Sequence, residues 1–221
     1  MIEHVYRRAA DARGVDAVVV ATDDDRIASA VTRFGGIVRM TAAAHPTGTD
    51  RLAEVARDLD CDILVNVQGD LPLVEPGMIA HVVSALTADP SVRMSTVCRA
   101  ITDPADYANP HVVKVVVDRA GDALYFSRSS IPYGSATVAR KHIGMYGYRR
   151  DFLLAFASLP QTPLERAESL EQLRALEHGY RIRVVETQYE SCEVDTPEDL
   201  ERVRRLIASA HSSRKVVEAA R

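Results

Sequence analysis

Asp70 is the residue whose place in the sequence points most clearly to chemistry. It follows an apolar run over 62–67 and the pair Gln68-Gly69, where the glycine permits a tight bend. Open α/β sheets bind ligands beyond the carboxyl ends of their strands, so a strand over 62–67 would deliver Asp70 to a site. Mg²⁺ takes carboxylate oxygens together with substrate phosphates. Gly-Asp is also a common turn pair, and the segment alone fits either interpretation.

Asp195 is a second carboxylate in a comparable position. It precedes Thr196-Pro197-Glu198-Asp199, where a capping threonine, a proline at the first helical position and early acids are typical of a helix start. An acid at this point is equally well explained by its attraction to the helix dipole. Taken with Asp70, it predicts a metal site of two carboxylates.

The loop 45–51 opens a predicted helix and carries groups suited to a ligand. Thr47, Gly48 and Thr49 offer hydroxyl and backbone N–H groups to a base, ribose or phosphate, and Arg51 offers its charge to an anion. A simple helix cap at Thr49 explains the same residues, so both interpretations stand.

Polar residues in the second half of the chain are also open to two readings. Arg128 follows the aromatic strand pattern 125–127 and fits either a carboxylate-binding or a surface arginine. His142 and Tyr146 stand among glycines, which suits a backbone that approaches a ligand and equally a tightly packed strand. Glu171 and Gln172 lie between the apolar residues of a predicted helix over 164–178, where polar side chains usually face solvent.

The elements that would position these residues follow from the apolar periodicity. Short apolar strands that alternate with helices of about ten residues predict a Rossmann-like, doubly wound α/β sheet. Three strands in the middle of the chain predict a mixed, partly antiparallel extension. The predicted strands are 16–21, 37–40, 62–67, 94–98, 112–117, 123–127 and 181–186, and the predicted helices are 2–13, 25–34, 50–59, 164–178 and one from Thr196.

Composition narrows the class of protein. A chain of 221 residues suits one domain, expected over 1–209 with a tail at 210–221. The net charge of −4 gives no electrostatic basis for binding nucleic acid. The three cysteines are too widely spaced for a zinc or redox motif. The sequence shows no signal region and no apolar run that could span a bilayer, so we expect a cytoplasmic protein without membrane insertion.

Taken in order, the segments resemble the 3-deoxy-manno-octulosonate cytidylyltransferase family. The similarity extends from Met1 to about Ile207, and several blocks of this length in one order are far more specific than a single motif. The resembling blocks are VVVATD (18–23), HPTGTDRLAE (45–54), VNVQGDLP (65–72), NPHVVKVVVD (109–118), ALYFSRSSIP (123–132), HIGMYGYR (142–149), LEQLR (170–174) and VDTPEDLER (194–202).

The resemblance implies a nucleotidyltransferase fold and an activity. The family transfers CMP from CTP to a sugar acid for lipopolysaccharide synthesis, releases pyrophosphate and uses Mg²⁺. It implies that Asp70 and Asp195 bind the metal and that Thr47, Gly48 and Thr49 contact the nucleotide. It also implies a homodimer, whose interface we expect in the extension over 94–132. The residues implied to line the sugar-acid pocket are Gln68, Arg128, His142, Tyr146, Glu171 and Gln172.

Two features depart from the family pattern. Leu71 stands where the family usually has Glu, which removes a charge beside the metal site. The family also begins with a strand and a basic phosphate loop, and Met1 aligns just after them. Each charge-assisted hydrogen bond to phosphate contributes roughly 1.5–3 kcal/mol. We therefore expect this sequence without the loop to turn over at least about a thousandfold more slowly than with it.

Two alternatives to this activity remain at the level of sequence. One is a cytidylyltransferase for another sugar acid, such as an acylneuraminate or an amino-substituted octulosonate. The other is a non-catalytic protein that binds a nucleotide or sugar, for which replacing Asp70 with Asn would leave affinity nearly intact.

Overall fold

The computed structural model describes residues 1–45, 47–134, 136–190, 193–194 and 196–219, with side chains through residue 209. The helices are α1 (Ile2–Ala10), α2 (Asp25–Arg33), α3 (Gly48–Arg57), α4 (Pro76–Ala88), α5 (Pro104–Ala108), α6 (Arg150–Phe156), α7 (Pro163–Glu168), α8 (Gln172–Glu177) and α9 (Pro197–Ala219). The strands are β1 (Val19–Thr22), β2 (Ile37–Met40), β3 (Ile63–Asn66), β4 (Met94–Ala100), β5 (Lys114–Val117), β6 (Ala123–Ser127), β7 (Arg140–Arg149) and β8 (Ile182–Glu186).

The strands form a parallel pair, β1–β2, and a six-stranded mixed sheet. In the mixed sheet the long strand β7 is antiparallel to β3, β4 and β5, and β4 is parallel to β8. β3 pairs with the second half of β7, whereas β5 pairs with its beginning and carries the antiparallel strand β6. The predicted α/β fold with an antiparallel extension is confirmed.

Helices cover both faces of the mixed sheet, because successive strand side chains point to opposite sides. One hydrophobic core packs α3, α6 and α8 against residues such as Leu64 and Tyr148. The other packs α1 and α4 against Val97 and Met145. No helix in the described part of the chain is both long and apolar enough to cross a membrane.

The prediction of one helix over 164–178 is wrong, because the chain breaks between α7 and α8. Ser169 has φ 54° and ψ 47°, and the N–H of Leu170 reaches back to the carbonyl of Glu165 at 3.1 Å. This left-handed helix end satisfies carbonyl groups that would otherwise lack partners. The apolar spacing continues through both helices, so the periodicity of the sequence does not reveal the break.

Gly147 lies where α4 packs closely against β7. A Cβ atom there would stand 2.4 Å from Val82 Cγ1 and 2.8 Å from Ser95 Oγ, both well below van der Waals contact. We expect Gly147→Ala to lower the free energy of unfolding by about 1–3 kcal/mol, the usual cost of overpacking. Gly69→Ala is the control, since its Cβ would meet only Ile2 Cδ1 at 3.7 Å. Urea unfolding of both variants checks this, and equal losses would contradict it.

Candidate active site

Asp70 lies in the turn that follows β3, as the sequence predicts. The turn is closed by the N–H of Leu71, which donates to the carbonyl of Gln68 at 3.3 Å. Leu71 itself is 2% exposed and packs into the core beneath α4. The uncharged residue at this position therefore anchors the turn in the hydrophobic core. Asp70 is half-buried, and its Oδ1 atom is buried.

A backbone hydrogen bond joins the Asp70 turn to the segment before Asp195. The N–H of Val194 donates to the carbonyl of Asp70 at 3.0 Å. Asp195 lies outside the described residues, but the residue that precedes it is fixed to the Asp70 turn. The capped helix start that follows is present, because Thr196 and Asp199 exchange side-chain to backbone hydrogen bonds. The Asp70 turn and the chain at residue 194 thus meet at one edge of the sheet.

The chemistry of this edge fits Mg²⁺. Among the described residues, no group of three or more His, Cys, Asp or Glu side chains converges on one point. Mg²⁺ is usually held by one or two carboxylates together with substrate phosphates and water. A pair of carboxylates, Asp70 with Asp195, is a ligand set of that kind and stays a prediction.

The N-terminus of α3 lies beside the end of β3. Thr47 caps the helix by accepting from the N–H of Asp50 at 3.2 Å. A Cβ on Gly48 would come within 4.0 Å of Asn66 Nδ2, so this loop lies close to the strand that leads to Asp70. The predicted nucleotide segment and the predicted metal turn are therefore neighbours.

Glu171 ties α8 to this loop. The hydroxyl of Thr49 donates to Glu171 Oε2 at 2.6 Å, and the hydroxyl of Thr47 lies 3.2 Å from Oε1. Burial raises the pKa of the Glu171 carboxyl, an effect that the hydrogen bond from Thr49 and the charge of Arg174 oppose. Glu171 lies between the break at Ser169 and the start of α8, and it faces the two threonines.

Arg51 is committed to a different set of contacts. Its guanidinium pairs with Asp23 Oδ2 at 3.2 Å and donates to the hydroxyl of Thr41. These contacts join α3 to the ends of β1 and β2 instead of pointing the charge at the other predicted site residues. A ligand anion would have to compete with Asp23 for this arginine.

Arg128 is held with one edge available to an anion. Its Nε donates to the carbonyl of Glu168 at 2.9 Å, and its Nη1 donates to the carbonyl of Pro110 at 3.2 Å. Its Nη2 makes no hydrogen bond to the described part of the chain. A guanidinium fixed by backbone carbonyls on one side presents its remaining donors in a defined direction, which suits a carboxylate.

Two residues that hold Arg128 in place, Glu168 and Lys114, are not predicted from the sequence. The carboxylate of Glu168 accepts from the hydroxyl of Ser127 at 2.6 Å and from the N–H of Arg128 at 2.9 Å. Lys114 is fully buried, and its Nζ donates to three backbone carbonyls, including that of Arg128 at 2.5 Å. Burial lowers the pKa of this lysine. No local pattern could reveal these contacts, because they join residues on different elements.

Aromatic and amide side chains complete the site on β7 and α8. The ring centroids of His142 and Tyr146 are 5.3 Å apart, and Gln68 Nε2 reaches the carbonyl of Gly144 at 3.5 Å. Burial raises the pKa of Tyr146, and the charge of Glu171 adds to the rise. Gln172 is 4% exposed, and its Nε2 has no partner in the described chain. A buried donor of this kind is costly unless a ligand satisfies it.

A protein family described as cytidylyltransferase matches residues 1–182. The chain belongs to this family. It is 56% identical over 217 residues to a 3-deoxy-manno-octulosonate cytidylyltransferase of Geobacter metallireducens, with 92% of this chain and 85% of that relative covered. A relative with the same description from Solibacter usitatus is 54% identical over 214 residues, with coverage of 95% and 85%.

A solved structure supports the same assignment for this cytidylyltransferase. It is described as CMP:2-keto-3-deoxy-manno-octonic acid synthetase complexed with CTP. It matches with a TM-score of 0.90 and 46% identity, over 95% of this chain and 88% of that chain. The family resemblance drawn from the sequence blocks is confirmed.

Proposed function

We infer that this chain transfers CMP from CTP to 3-deoxy-manno-octulosonate and releases pyrophosphate, the step that the resemblance links to lipopolysaccharide synthesis. The observation that carries the inference is the meeting of the Asp70 turn, the segment at residue 194 and the N-terminus of α3 at one sheet edge. The names of the related proteins reported above supply the identity of the two substrates.

The reaction requires positioning more than a protein nucleophile. A hydroxyl of the sugar acid attacks the α-phosphate in line with the departing pyrophosphate, and such transfers depend on alignment and charge stabilisation. Asp70 and Asp195 would hold Mg²⁺, which supplies charge neutralisation on the phosphates. Thr47, Gly48 and Thr49 bind the nucleotide through hydroxyl and backbone N–H groups. Arg128 orients the sugar acid through its carboxylate.

Pyrophosphate release tests the proposed reaction. The assay combines the chain with CTP and 3-deoxy-manno-octulosonate, first with Mg²⁺ and then after chelation. We expect release that depends on both substrates and on the metal. Parallel reactions with an acylneuraminate and an amino-substituted octulosonate measure sugar specificity, and faster turnover with either would contradict the proposed substrate. Binding without any pyrophosphate would contradict the proposed activity.

Arg128 offers a separate test of the sugar-acid pocket. We expect Arg128→Lys to raise the KM for the sugar acid roughly tenfold, since a lysine cannot reproduce the fork that holds a carboxylate. The KM for CTP should change little. Arg166→Lys is the control, because Arg166 is exposed and its side chain bonds, among the described residues, to the carbonyl of Gln161. Steady-state kinetics with each substrate varied in turn checks this, and equal effects on both KM values would contradict it.

We also propose a homodimer in the cytoplasm. Apolar side chains are exposed on and after the predicted interface segment 94–132: Leu124 is 62% exposed, Val138 56% exposed and Tyr133 fully exposed. The buried free thiol of Cys98 is suited to a reducing compartment. Light scattering should give twice the chain mass, and Tyr133→Asp should shift the population towards monomer. A monomer at micromolar concentration would contradict the proposal.

A further inference from the structure

A β-bulge in β7 brings His142 and Tyr146 together. Along β4, Thr96 pairs with Tyr146 but the next residue, Val97, pairs with Ile143, so two residues of β7 are extra. In a regular strand, residues four apart are separated by about 13 Å. The 5.3 Å between these two rings therefore depends on the bulge. Bulges are common beside active sites, where they redirect side chains.

Thr96 lies on β4 opposite this bulge, and its side chain is fully buried. Its Oγ1 lies 2.7 Å from the carbonyl of Met145, 3.4 Å from the carbonyl of Ile143 and 2.8 Å from His142 Nε2. A threonine hydroxyl has a single proton and accepts through its lone pairs, whereas a carbonyl can only accept. The proton therefore goes to Met145, and the oxygen accepts from His142. This assignment places a hydrogen on Nε2.

The opposite nitrogen of His142 is then an acceptor. Among the described residues, the ring contacts are Phe126 and Tyr146, and no carboxylate contacts the ring. Burial lowers the pKa of His142 to about 3, so the ring is neutral at neutral pH. A neutral imidazole with its proton on Nε2 carries its lone pair on Nδ1. His142 as a whole is half-buried, so part of the residue is accessible to solvent.

We propose that Thr96 is a positioning residue that fixes the tautomer of His142, so that Nδ1 accepts a hydrogen bond from a hydroxyl of the sugar acid. The proposal rests on the proposed function and deepens it. It gives the site a specificity rule: the sugar position that meets His142 must carry a hydrogen-bond donor. An analogue with an O-methyl group at that position would present two acceptors to each other and bind poorly.

Nitrogen NMR of His142 tests the tautomer directly. In the ¹⁵N-labelled chain without substrate, we expect Nε2 to resonate as a protonated nitrogen and Nδ1 as an unprotonated one, with a His142→Gln spectrum assigning the signals. On addition of 3-deoxy-manno-octulosonate with CMP, the Nδ1 signal should move upfield as it accepts a hydrogen bond. A proton on Nδ1 in the substrate-free chain would overturn the proposal.

Two variants separate positioning from structure. Thr96→Val removes the hydroxyl and keeps the shape, and we expect a mixture of tautomers together with a roughly tenfold weaker affinity for the sugar acid. Thr96→Ser keeps the hydroxyl and should restore both the spectrum and the affinity. Affinity for CTP should be unchanged in each. An unaltered spectrum or affinity in Thr96→Val would overturn the proposal.

The two levels of inference fail in different ways. If the wild-type chain does not bind the sugar acid but shows the expected tautomer, the proposed function fails and with it the assigned ligand. If the chain binds the sugar acid but Nδ1 does not respond, the role of His142 is wrong while the function stands. Should Thr96→Val not fold, the wild-type spectrum and Thr96→Ser still decide the tautomer.

Discussion

Asp70→Asn is expected to lower kcat for pyrophosphate release by at least about a thousandfold, the factor that about 4 kcal/mol of transition-state stabilisation supplies. Asparagine keeps the size of the side chain and loses the charge that would hold Mg²⁺ against the phosphates. The hydrogen bond from the N–H of Val194 goes to the backbone carbonyl of Asp70, so the substitution leaves it in place. The turn should therefore keep its position while its chemistry is lost.

Asp62→Asn is the matched control. Asp62 lies just before β3, at the opposite end from Asp70, and its side chain is exposed. We expect this variant to keep parental turnover, which separates the loss of a particular carboxylate from the loss of any negative charge. Both variants are compared with the same parent chain. Asp70→Asn turnover within tenfold of the parent would show that this carboxylate does not carry the reaction.

Binding measurements distinguish the enzyme from a non-catalytic binder. For the enzyme, raising the Mg²⁺ concentration should partly restore Asp70→Asn, because the weakened site can still be filled by mass action. A binder predicts nucleotide affinity that depends on neither Asp70 nor the metal. Isothermal titration of CTP into the parent chain and into Asp70→Asn, with and without Mg²⁺, measures these differences in affinity.

The sequence predicts well those parts of the fold that local patterns determine. β3 and the Asp70 turn follow from one apolar run and a Gly-Asp pair, and both are present. The capped start of α9 at Thr196 is also present. These features depend on residues close to one another in the chain, so their side-chain types are enough to identify them.

The rest of the site depends on contacts between distant elements. Glu168 lies in the predicted helix 164–178, where polar side chains usually face solvent, yet it supports Arg128 from 40 residues away. Thr96 has no local signal, because its importance comes from a bulge in the neighbouring strand. The break at Ser169 is hidden since the apolar spacing is the same on both sides. Such features follow from packing, which a periodicity pattern does not encode.

Arg174→Met is expected to lower the free energy of unfolding by about 3–5 kcal/mol, because it leaves a buried carboxylate without its partner. Arg174 donates from Nε to Glu165 Oε2 at 2.9 Å and from Nη2 to Oε1 at 2.5 Å. Both residues are buried: Glu165 is 5% exposed and Arg174 is 4% exposed. The pair clamps α7 to α8 across the break at Ser169.

A double variant separates the missing partner from the missing packing. Glu165→Gln combined with Arg174→Met removes both charges. In the parent chain the N–H of Thr162 donates to Glu165 Oε2 at 3.2 Å, and the glutamine keeps an oxygen that can accept this hydrogen bond. We expect it to recover most of the lost stability, since replacing both members of a buried pair is often nearly neutral. Arg204→Met is the surface control: its pair with Glu201 is more than half exposed on both sides and should contribute less than about 1 kcal/mol.

Urea unfolding of the three variants measures these changes in stability. CTP binding by the same variants tests whether Arg174 also affects the site. Arg174 Nη2 also lies 3.4 Å from Glu171 Oε1, and the same carboxylate accepts a hydrogen bond from the hydroxyl of Thr49. Loss of Arg174 should therefore weaken nucleotide binding as well as stability. Recovery of stability in the double variant without recovery of CTP affinity would show that Arg174 acts on Glu171 directly. If the single and double variants lose equal stability, the clamp works through packing against Phe156, whose ring lies 5.1 Å from the guanidinium.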